Sequence, residues 1–164
     1  MKIRISALSL LLCCCHICCA AQAPERVVTL GTAITETMDA LGLGSHIVAT
    51  DVTSEYPAYI KKLPKVSRNR NLSVEGLMQY RPDLILAPEG DIPASVLAQL
   101  KKAGVKVINI RQEFSARGAE KFIRDVAAAL QVAQPGEKLV QQMRQKLTAV
   151  QQQVKNNQQP SLKV

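Results

Sequence analysis

The chain has 164 residues, of which 47% are hydrophobic and 21% are charged, so it can form one domain with a sizeable core. Aromatic residues make up only 3% and tryptophan is absent, which excludes a surface of stacked rings such as single-strand nucleic-acid binders use. The formal net charge is +8, and a nucleic-acid role would require those charges to be clustered.

Residues 1–23 have the three-part layout of a secretory signal peptide. Lys2 and Arg4 form a positive start, residues 5–20 are an uncharged apolar run, and a small-x-small cleavage site follows at residues 21–23. The apolar run is shorter than the ~20 residues that a membrane span requires. We therefore expect cleavage after Ala23 and export from the cytoplasm.

All five cysteines lie in this leading segment. The processed chain would hold no thiol for a disulfide, a metal site or a nucleophile. Lipidation of Cys13 or Cys19 is the less favoured alternative to simple cleavage, because the residues before them lack the usual small side chains of a lipoprotein signal.

Strand-like and helix-like segments alternate after the leading segment. Strands are predicted at residues 26–30, 46–50, 84–87 and 105–110. Helices are predicted at residues 32–41, 73–80 and 93–103, with a short helical turn at 58–63. Parallel strands need crossover connections, so this alternation predicts an α/β fold, a parallel sheet with helices on both faces. Ligands of such sheets bind at the carboxyl ends of the strands, here the loops that begin at Gly31, Asp51, Pro88 and Arg111.

Two further helices are predicted beyond the sheet. The first covers residues 116–132, Pro135 and Gly136 then interrupt the chain, and the second covers residues 137–156. The second helix has a narrow apolar stripe made of Leu139, Met143, Leu147, Val150 and Val154. Such a helix is suited to lying across a domain, or between two domains.

Residues 160–164 look like the beginning of another strand. Since a domain seldom ends on the first residues of a strand, we expect the chain to be the N-terminal part of a longer, two-lobed protein. A short frayed tail is the alternative.

The sequence offers little for catalysis. His46 is the one histidine after the leading segment, no glycine-rich phosphate loop follows a strand, and Glu89 and Asp91 are the only close pair of carboxylates on a predicted loop. A solvated loop explains that pair better than an acid and base do. We expect a binding protein without catalytic activity and without a nucleic-acid partner. A hydrolase or transferase that depends on Glu89 or Asp91 is the alternative.

Positive charge is densest in residues 61–70. Arginine can grip a carboxylate with two parallel hydrogen bonds, so Arg68 and Arg70 are candidates for holding an anionic ligand. Solvated loop charge is the alternative interpretation.

Several motifs occur together along the chain. They are RVVTLG at 26–31, DVTSEYP at 51–57, LPKV at 63–66, LSVEG at 72–76 and RPDLIL at 81–86. In combination they resemble the N-terminal lobe of periplasmic substrate-binding proteins of ABC importers for cobalamin, iron-siderophores and haem. LSVEG followed by RPDLIL is most similar to the haem-binding branch.

The resemblance implies an organisation for the chain. Two α/β lobes would be joined by one long helix, which residues 137–156 match, and the second lobe is absent here. The segments would be a signal peptide at 1–23, the N-terminal lobe at 24–115, a helical segment with the linker helix at 116–157, and the start of the second lobe at 158–164.

The resemblance also implies roles for individual residues. Loops facing the cleft between the lobes would carry the ligand-binding residues Thr32, Thr53, Tyr56, Arg68 and Arg70. Glu75 matches an acidic residue that docks onto arginines of the membrane permease. Independently of the family, Ser73 is placed to cap the helix that carries Glu75, where the helix dipole favours a carboxylate.

The iron ligand of the haem-binding branch is missing at its usual place. Relatives carry a tyrosine before LS-x-EG where this sequence has Arg68, and a guanidinium cannot replace a phenolate on ferric iron. Three alternatives remain open: Tyr56 could bind the iron instead, the iron ligand could come from the second lobe, or the cargo could be something other than haem.

The expected function is therefore a periplasmic carrier without an intrinsic cofactor. Its cargo would be haem, or alternatively cobalamin or a ferric siderophore. Its partners would be an inner-membrane ABC permease and, as a further candidate, an outer-membrane receptor system.

Overall fold

The structure is a computed structural model that describes residues 23–66 and 72–156. The expected signal peptide, apart from Ala23, and residues 158–164 lie outside the described residues, as do Arg68 and Arg70.

Strands and helices alternate in the order that the sequence predicts. The strands are β1 (Val27–Thr29), β2 (Ile47–Thr50), β3 (Leu84–Pro88) and β4 (Lys106–Ile110). The helices are α1 (Thr32–Ala40), α2 (Val74–Met78), α3 (Ala94–Lys102), α4 (Ala116–Ala129) and α5 (Ala133–Asn156). Short 3-10 turns occupy Gly44–His46 and Ala58–Lys62.

The four strands form one parallel sheet in the order β2-β1-β3-β4. Two clusters of buried side chains cover its two faces. One cluster joins the sheet to α1 and α4 through residues such as Met38 and Val126. The other joins it to α2 and α3 through residues such as Leu77 and Leu100. The α/β fold with helices on both faces is confirmed.

The RPD part of the motif at residues 81–86 anchors the start of the sheet. The Asp83 carboxylate accepts hydrogen bonds from the backbone N–H groups of Glu25 (2.8 Å) and Arg26 (3.2 Å). The Arg26 guanidinium donates in return to the carbonyl oxygens of Tyr80 and Arg81. These reciprocal bonds hold β1 in place beside β3.

Pro135 and Gly136 do not interrupt the last helix, so that prediction was wrong. Helix α5 begins at Ala133, and a proline in the first turn costs nothing because the first four N–H groups of a helix have no partner within it. The break falls earlier, at Gln131, which has a φ of 61°. Its N–H and that of Val132 donate back into α4, closing that helix in the usual left-handed C-terminal motif.

Gly136 has a packing role at the contact between α4 and α5. A Cβ atom at this position would overlap the Cβ of Ala127. The absence of a side chain therefore lets the two helices approach closely, and Val140, one turn later, is fully buried.

The predicted apolar stripe of α5 is buried only near its beginning. Val140, which the stripe did not include, carries the burial, while Leu147, Val150 and Val154 are 39%, 54% and 68% exposed. Within the described part of the chain, no helix is long and apolar enough to span a membrane.

A chain of ion pairs fastens α5 to α4. The Arg144 guanidinium binds Glu120 with an Nε–Oε1 distance of 2.6 Å, and Arg124 binds both Glu120 (3.5 Å) and Glu137 (2.6 Å). The hydrogen bond from Arg144 is the main cause that lowers the pKa of Glu120, and the bond from Arg124 likewise lowers the pKa of Glu137.

We expect the stabilisation by Glu120 to depend on pH. Its folded-state pKa lies below the ordinary value of 4.5, so its contribution is present above that pH and disappears as the pH falls through the folded pKa. Glu120→Gln should therefore lower the thermal midpoint at about pH 7, and the difference from wild type should shrink as the pH falls below 4.5 and through the folded-state pKa. Circular dichroism melts at several pH values measure this.

Asp125→Asn is the matched control, because among residues 23–66 and 72–156 Asp125 pairs only with Lys121 on the same helix, and exposed pairs of this type contribute little. Equal thermal midpoints for Glu120→Gln and wild type at neutral pH would contradict a role for Glu120 in fastening α5.

Candidate functional site

The centre of the sheet contains a switch in chain direction. From β1 the chain passes through α1 to β2 on one side, whereas β3 continues through α3 to β4 on the other side. The loops after β1 and β3 therefore diverge to opposite faces and leave a crevice at the carboxyl edge, where open α/β sheets bind ligands.

Gly31 and Pro88 form the floor of this crevice. Gly31 follows β1 with a φ of 87°, and a Cβ atom there would lie 3.1 Å from Cγ of Pro88. Only glycine combines this left-handed backbone with so close an approach to the end of β3. The carbonyl of Gly31 accepts the first hydrogen bond of α1, from the N–H of Thr35.

Three adjoining cavities run along this edge, and we call them together the edge trough. The cavity at one end, of about 260 Å³, is lined by Leu30, Gly31, Asp51, Val52, Thr53, Leu72 and Asp91. The middle cavity, also about 260 Å³, is lined by Gly31, Thr32, Ala33, Ile34, Pro88, Gln112 and Phe122. The cavity at the other end, about 350 Å³, shares Ala33, Gln112 and Phe122 and reaches Phe114. All four loops at the carboxyl edge thus contribute to one open surface.

The described lining of the edge trough is acidic. Asp51 and Asp91 lie at one end, and Glu36 and Glu113 lie at the other. No lysine or arginine of the described residues lines any of the three cavities. Basic groups for an anionic ligand would have to come from outside this lining.

The structure brings Thr32 and Thr53 together. The Thr32 hydroxyl donates to the backbone carbonyl of Thr53 (2.8 Å), and the Thr53 hydroxyl donates to Oδ2 of Asp51 (2.5 Å). Both threonines line the edge trough, and their side chains connect the start of α1 to the loop after β2.

A buried row of hydroxyl groups supports the same loop from below. Oγ1 of Thr35 lies 2.8 Å from Oγ1 of Thr29 and 2.9 Å from Oγ of Ser54. Ser54 in turn donates to Oδ1 of Asp51 (2.7 Å). Thr29, Thr35 and Ser54 are fully buried, so the row ties the ends of β1 and β2 and the start of α1 into one unit.

Lys65 belongs to this support and not to a free basic patch. Its ammonium group donates to Oγ1 of Thr50 (2.8 Å) and to the carbonyl of Ser54 (2.6 Å). Burial lowers the pKa of Lys65, and the neighbouring carboxylates of Asp51 and Glu55 partly offset this. The positive charge of residues 61–70 is therefore partly used inside the fold.

Tyr56 is 66% exposed on the loop after β2 and is not among the residues that line the edge trough.

The nearby Tyr59 contacts helix α1 instead. Its hydroxyl donates to the carboxylate of Asp39 on α1, and burial together with this hydrogen bond raises the pKa of Tyr59 to about 12. Gly44 lies against the pair, where a side chain would overlap the Tyr59 hydroxyl.

Glu75 is exposed in the first turn of α2. The Ser73 hydroxyl accepts a hydrogen bond from the N–H of Gly76 at 3.0 Å, which confirms the predicted helix cap. Glu75 lies three residues beyond Leu72, which lines the edge trough.

Phe114 is the feature of the site that sequence reasoning missed. Its side chain is 94% exposed on the loop after β4, at one end of the edge trough. A phenylalanine on a loop at the carboxyl edge, in a chain with only two phenylalanines, is the signal that would have identified it.

The candidate residues for chemistry do not converge. His46 hydrogen bonds through Nδ1 to the carbonyl of Pro24 (2.8 Å). Glu89 and Asp91 are both exposed. Among residues 23–66 and 72–156, no group of three or more His, Cys, Asp or Glu side chains could hold a metal ion.

Comparison with known proteins agrees with this geometry. The family model described as periplasmic binding protein matches residues 27–164, and the chain belongs to that family. Over 134 residues it is 33% identical to the uncharacterized ABC transporter substrate-binding lipoprotein YvrC of Bacillus subtilis. This alignment covers 80% of the chain and 42% of YvrC. Over 87 residues it is 41% identical to the vitamin B12-binding protein of Yersinia pestis. This second alignment covers 53% of the chain and 31% of the vitamin B12-binding protein.

The fold is similar to that of the periplasmic haem-binding protein RhuT from Roseiflexus sp. RS-1 in its apo form. The TM-score is 0.75 at 34% identity, and the similarity covers 83% of this chain and 52% of RhuT. The chain thus spans about half the length of the relatives it matches, or less.

Thr35→Val tests the buried row of hydroxyl groups. The substitution keeps the shape of the side chain but leaves the hydroxyl of Thr29 without its partner, and a buried polar group without a partner costs about 1–3 kcal/mol. We expect the free energy of unfolding in urea to fall by about that amount. Thr37→Val, at a partly buried position of the same helix, should change it much less. Equal losses from the two variants would show that the row is not a specific support.

Proposed function

We propose that this chain forms the cargo-binding lobe of a periplasmic binding protein that serves an ABC importer, with haem as the leading cargo and no catalysis of its own. The observation that carries the proposal is the edge trough. Four loops of a parallel sheet converge there on one open surface, in a chain of the periplasmic binding protein family. The similarity to a haem-binding protein over 83% of the chain supports haem.

The lobe would act as a rigid half of a clamp. The loops after β1 and β2 are held by hydrogen bonds of Thr35, Ser54 and Lys65, so cargo binding need not order these two loops and less conformational entropy is lost. In the proposed two-lobed protein, residues 24–115 form the first lobe, residues 116–157 contain the linker helix, and residues 158–164 begin the second lobe.

Arg68 and Arg70 would supply the positive charge that the described trough lacks. They lie in the segment between Val66 and Leu72, and Leu72 lines the trough. Their guanidinium groups are suited to pairing with the two carboxylates of haem. Thr32 and Thr53 would contact the cargo, and Tyr56 is the candidate iron ligand of this lobe.

Cobalamin is the second candidate cargo, and one observation favours it. The described trough carries four carboxylates, which accept hydrogen bonds from the amide groups around a corrin ring but repel the carboxylates of haem. The 41% identity to a vitamin B12-binding protein points the same way. A ferric siderophore is the remaining alternative.

Delivery of the cargo to the membrane permease would use the exposed Glu75. A carboxylate at the start of α2 could pair with arginines of an inner-membrane permease, and the signal peptide of residues 1–23 would bring the chain to the periplasm. An outer-membrane receptor system would supply the cargo. No role in nucleic-acid binding is proposed.

The first test titrates the purified chain with hemin and, separately, with cyanocobalamin. We expect a saturable change in the Soret band with hemin and a dissociation constant above about 1 µM, because a single lobe covers only part of a ligand that cleft sites normally bury almost completely. Tyr56→Phe should abolish the shift of the band if the phenolate binds iron. Tyr80→Phe, at a partly buried position, is the control. No saturable binding of hemin, cyanocobalamin or a ferric siderophore would overturn the proposal.

Charge reversal distinguishes the two main cargoes. The double substitution Arg68→Glu, Arg70→Glu should weaken hemin binding at least tenfold, since it replaces attraction of the propionates by repulsion. Cyanocobalamin binding should change much less. Lys101→Glu, Lys102→Glu in the last turn of α3 matches the change in net charge and should leave both affinities unchanged. Equal weakening by the two double substitutions would contradict a direct contact.

A further inference from the structure

We propose that Phe114 contacts the apolar face of a flat macrocyclic metal chelate bound in the edge trough, and that it sets the affinity for that class of cargo. This inference rests on the proposed function, because it assumes that cargo binds at the carboxyl edge. It assigns a specificity-determining residue at the end of the trough opposite to Asp51 and Asp91.

The first observation is the exposure of the side chain. Phe114 is 94% exposed, whereas Phe122 beside it is 7% exposed and belongs to the core. Burying a phenylalanine side chain gains free energy, so its exposure forgoes that gain. In this fold Phe114 could be replaced by a polar residue without loss of packing.

The second observation is that the backbone holds Phe114 in this position. The Ser115 hydroxyl accepts a hydrogen bond from the N–H of Gly118 (2.9 Å), and the Ser115 N–H donates to the carbonyl of Glu113 (2.9 Å). A Cβ atom at Gly118 would overlap the backbone of Glu113. The residues on both sides of Phe114 are therefore fixed against the start of α4, and its ring is presented outward at low entropic cost.

The third observation concerns the surface around the ring. Ala33, Phe122 and Ile123 line this end of the trough with apolar side chains, and Glu36 and Glu113 belong to the same lining. The middle cavity shares Gly31 with the cavity at Asp91, and it shares Ala33, Gln112 and Phe122 with the cavity at Phe114. An exposed aromatic ring beside apolar side chains, with carboxylates in the same lining, fits a flat ring system with an apolar face better than a compact anion.

Affinity measurements test the inference. Phe114→Ala should weaken binding of the cargo that the wild-type chain takes, hemin or cyanocobalamin, at least tenfold, which corresponds to about 1.4 kcal/mol. Phe114→Tyr should stay within about threefold of wild type because it keeps the ring. Val150→Ala, at a 54% exposed position on α5 outside the trough, should leave the affinity unchanged. Thermal melts of Phe114→Ala should match wild type.

A spectroscopic measurement reports the contact directly. Incorporation of 4-fluorophenylalanine labels only the two phenylalanines of the chain, and Phe114→Leu assigns their ¹⁹F signals. Addition of cyanocobalamin or of diamagnetic gallium(III) protoporphyrin should shift the Phe114 signal more than the Phe122 signal, because the macrocycle would cover the exposed ring.

The outcomes separate the two proposals. If wild type binds hemin or cyanocobalamin but Phe114→Ala binds equally well and the Phe114 signal does not move, this inference is overturned and the proposed function stands. If wild type binds no iron or cobalt chelate, the proposed function fails and this inference fails with it.

Discussion

The close approach of β1 and β3 at the centre of the sheet is the constraint on which the candidate site depends. Gly31 lies so near Pro88 that a methyl group would press on the proline ring. The strands can then end side by side while their chains leave toward opposite faces. The crevice between the two loops follows from this geometry. The edge trough widens it with the loops after β2 and β4.

A second layer of interactions turns the crevice into a firm surface. Thr35, Ser54 and Lys65 satisfy one another and the backbone below the trough, and among the described residues no buried side-chain nitrogen or oxygen lacks a hydrogen-bond partner. Polar networks of this kind hold a unique arrangement only when every member is satisfied. The buried row of hydroxyl groups therefore fixes the positions of Asp51 and Thr53, although the row itself is buried and does not line the trough.

The sequence predicted the alternation of strands and helices well, because periodic burial leaves a direct pattern in it. It did not predict the start of α5, because the rule that proline breaks helices fails in the first turn, where the missing N–H has no partner to lose. Lys65 looked like part of a basic patch because a charge run does not reveal which ammonium group lies under a loop. The sequence does not show that Phe114 is exposed, because its exposure depends on how α4 packs against the preceding loop at Gly118.

Two groups of residues differ in what their substitution would change: the buried polar residues and the exposed aromatic residues on the loops. Thr29, Thr35 and Ser54 are fully buried, and changing them affects the fold. Tyr56 and Phe114 face solvent and contribute little to the core, so their replacement should cost little stability. Buried residues leave periodic sequence patterns, and these patterns predicted the strands and helices. In the proposed function, the contacts that distinguish haem from cobalamin would fall on such exposed side chains, so cargo preference could change while the fold stays the same.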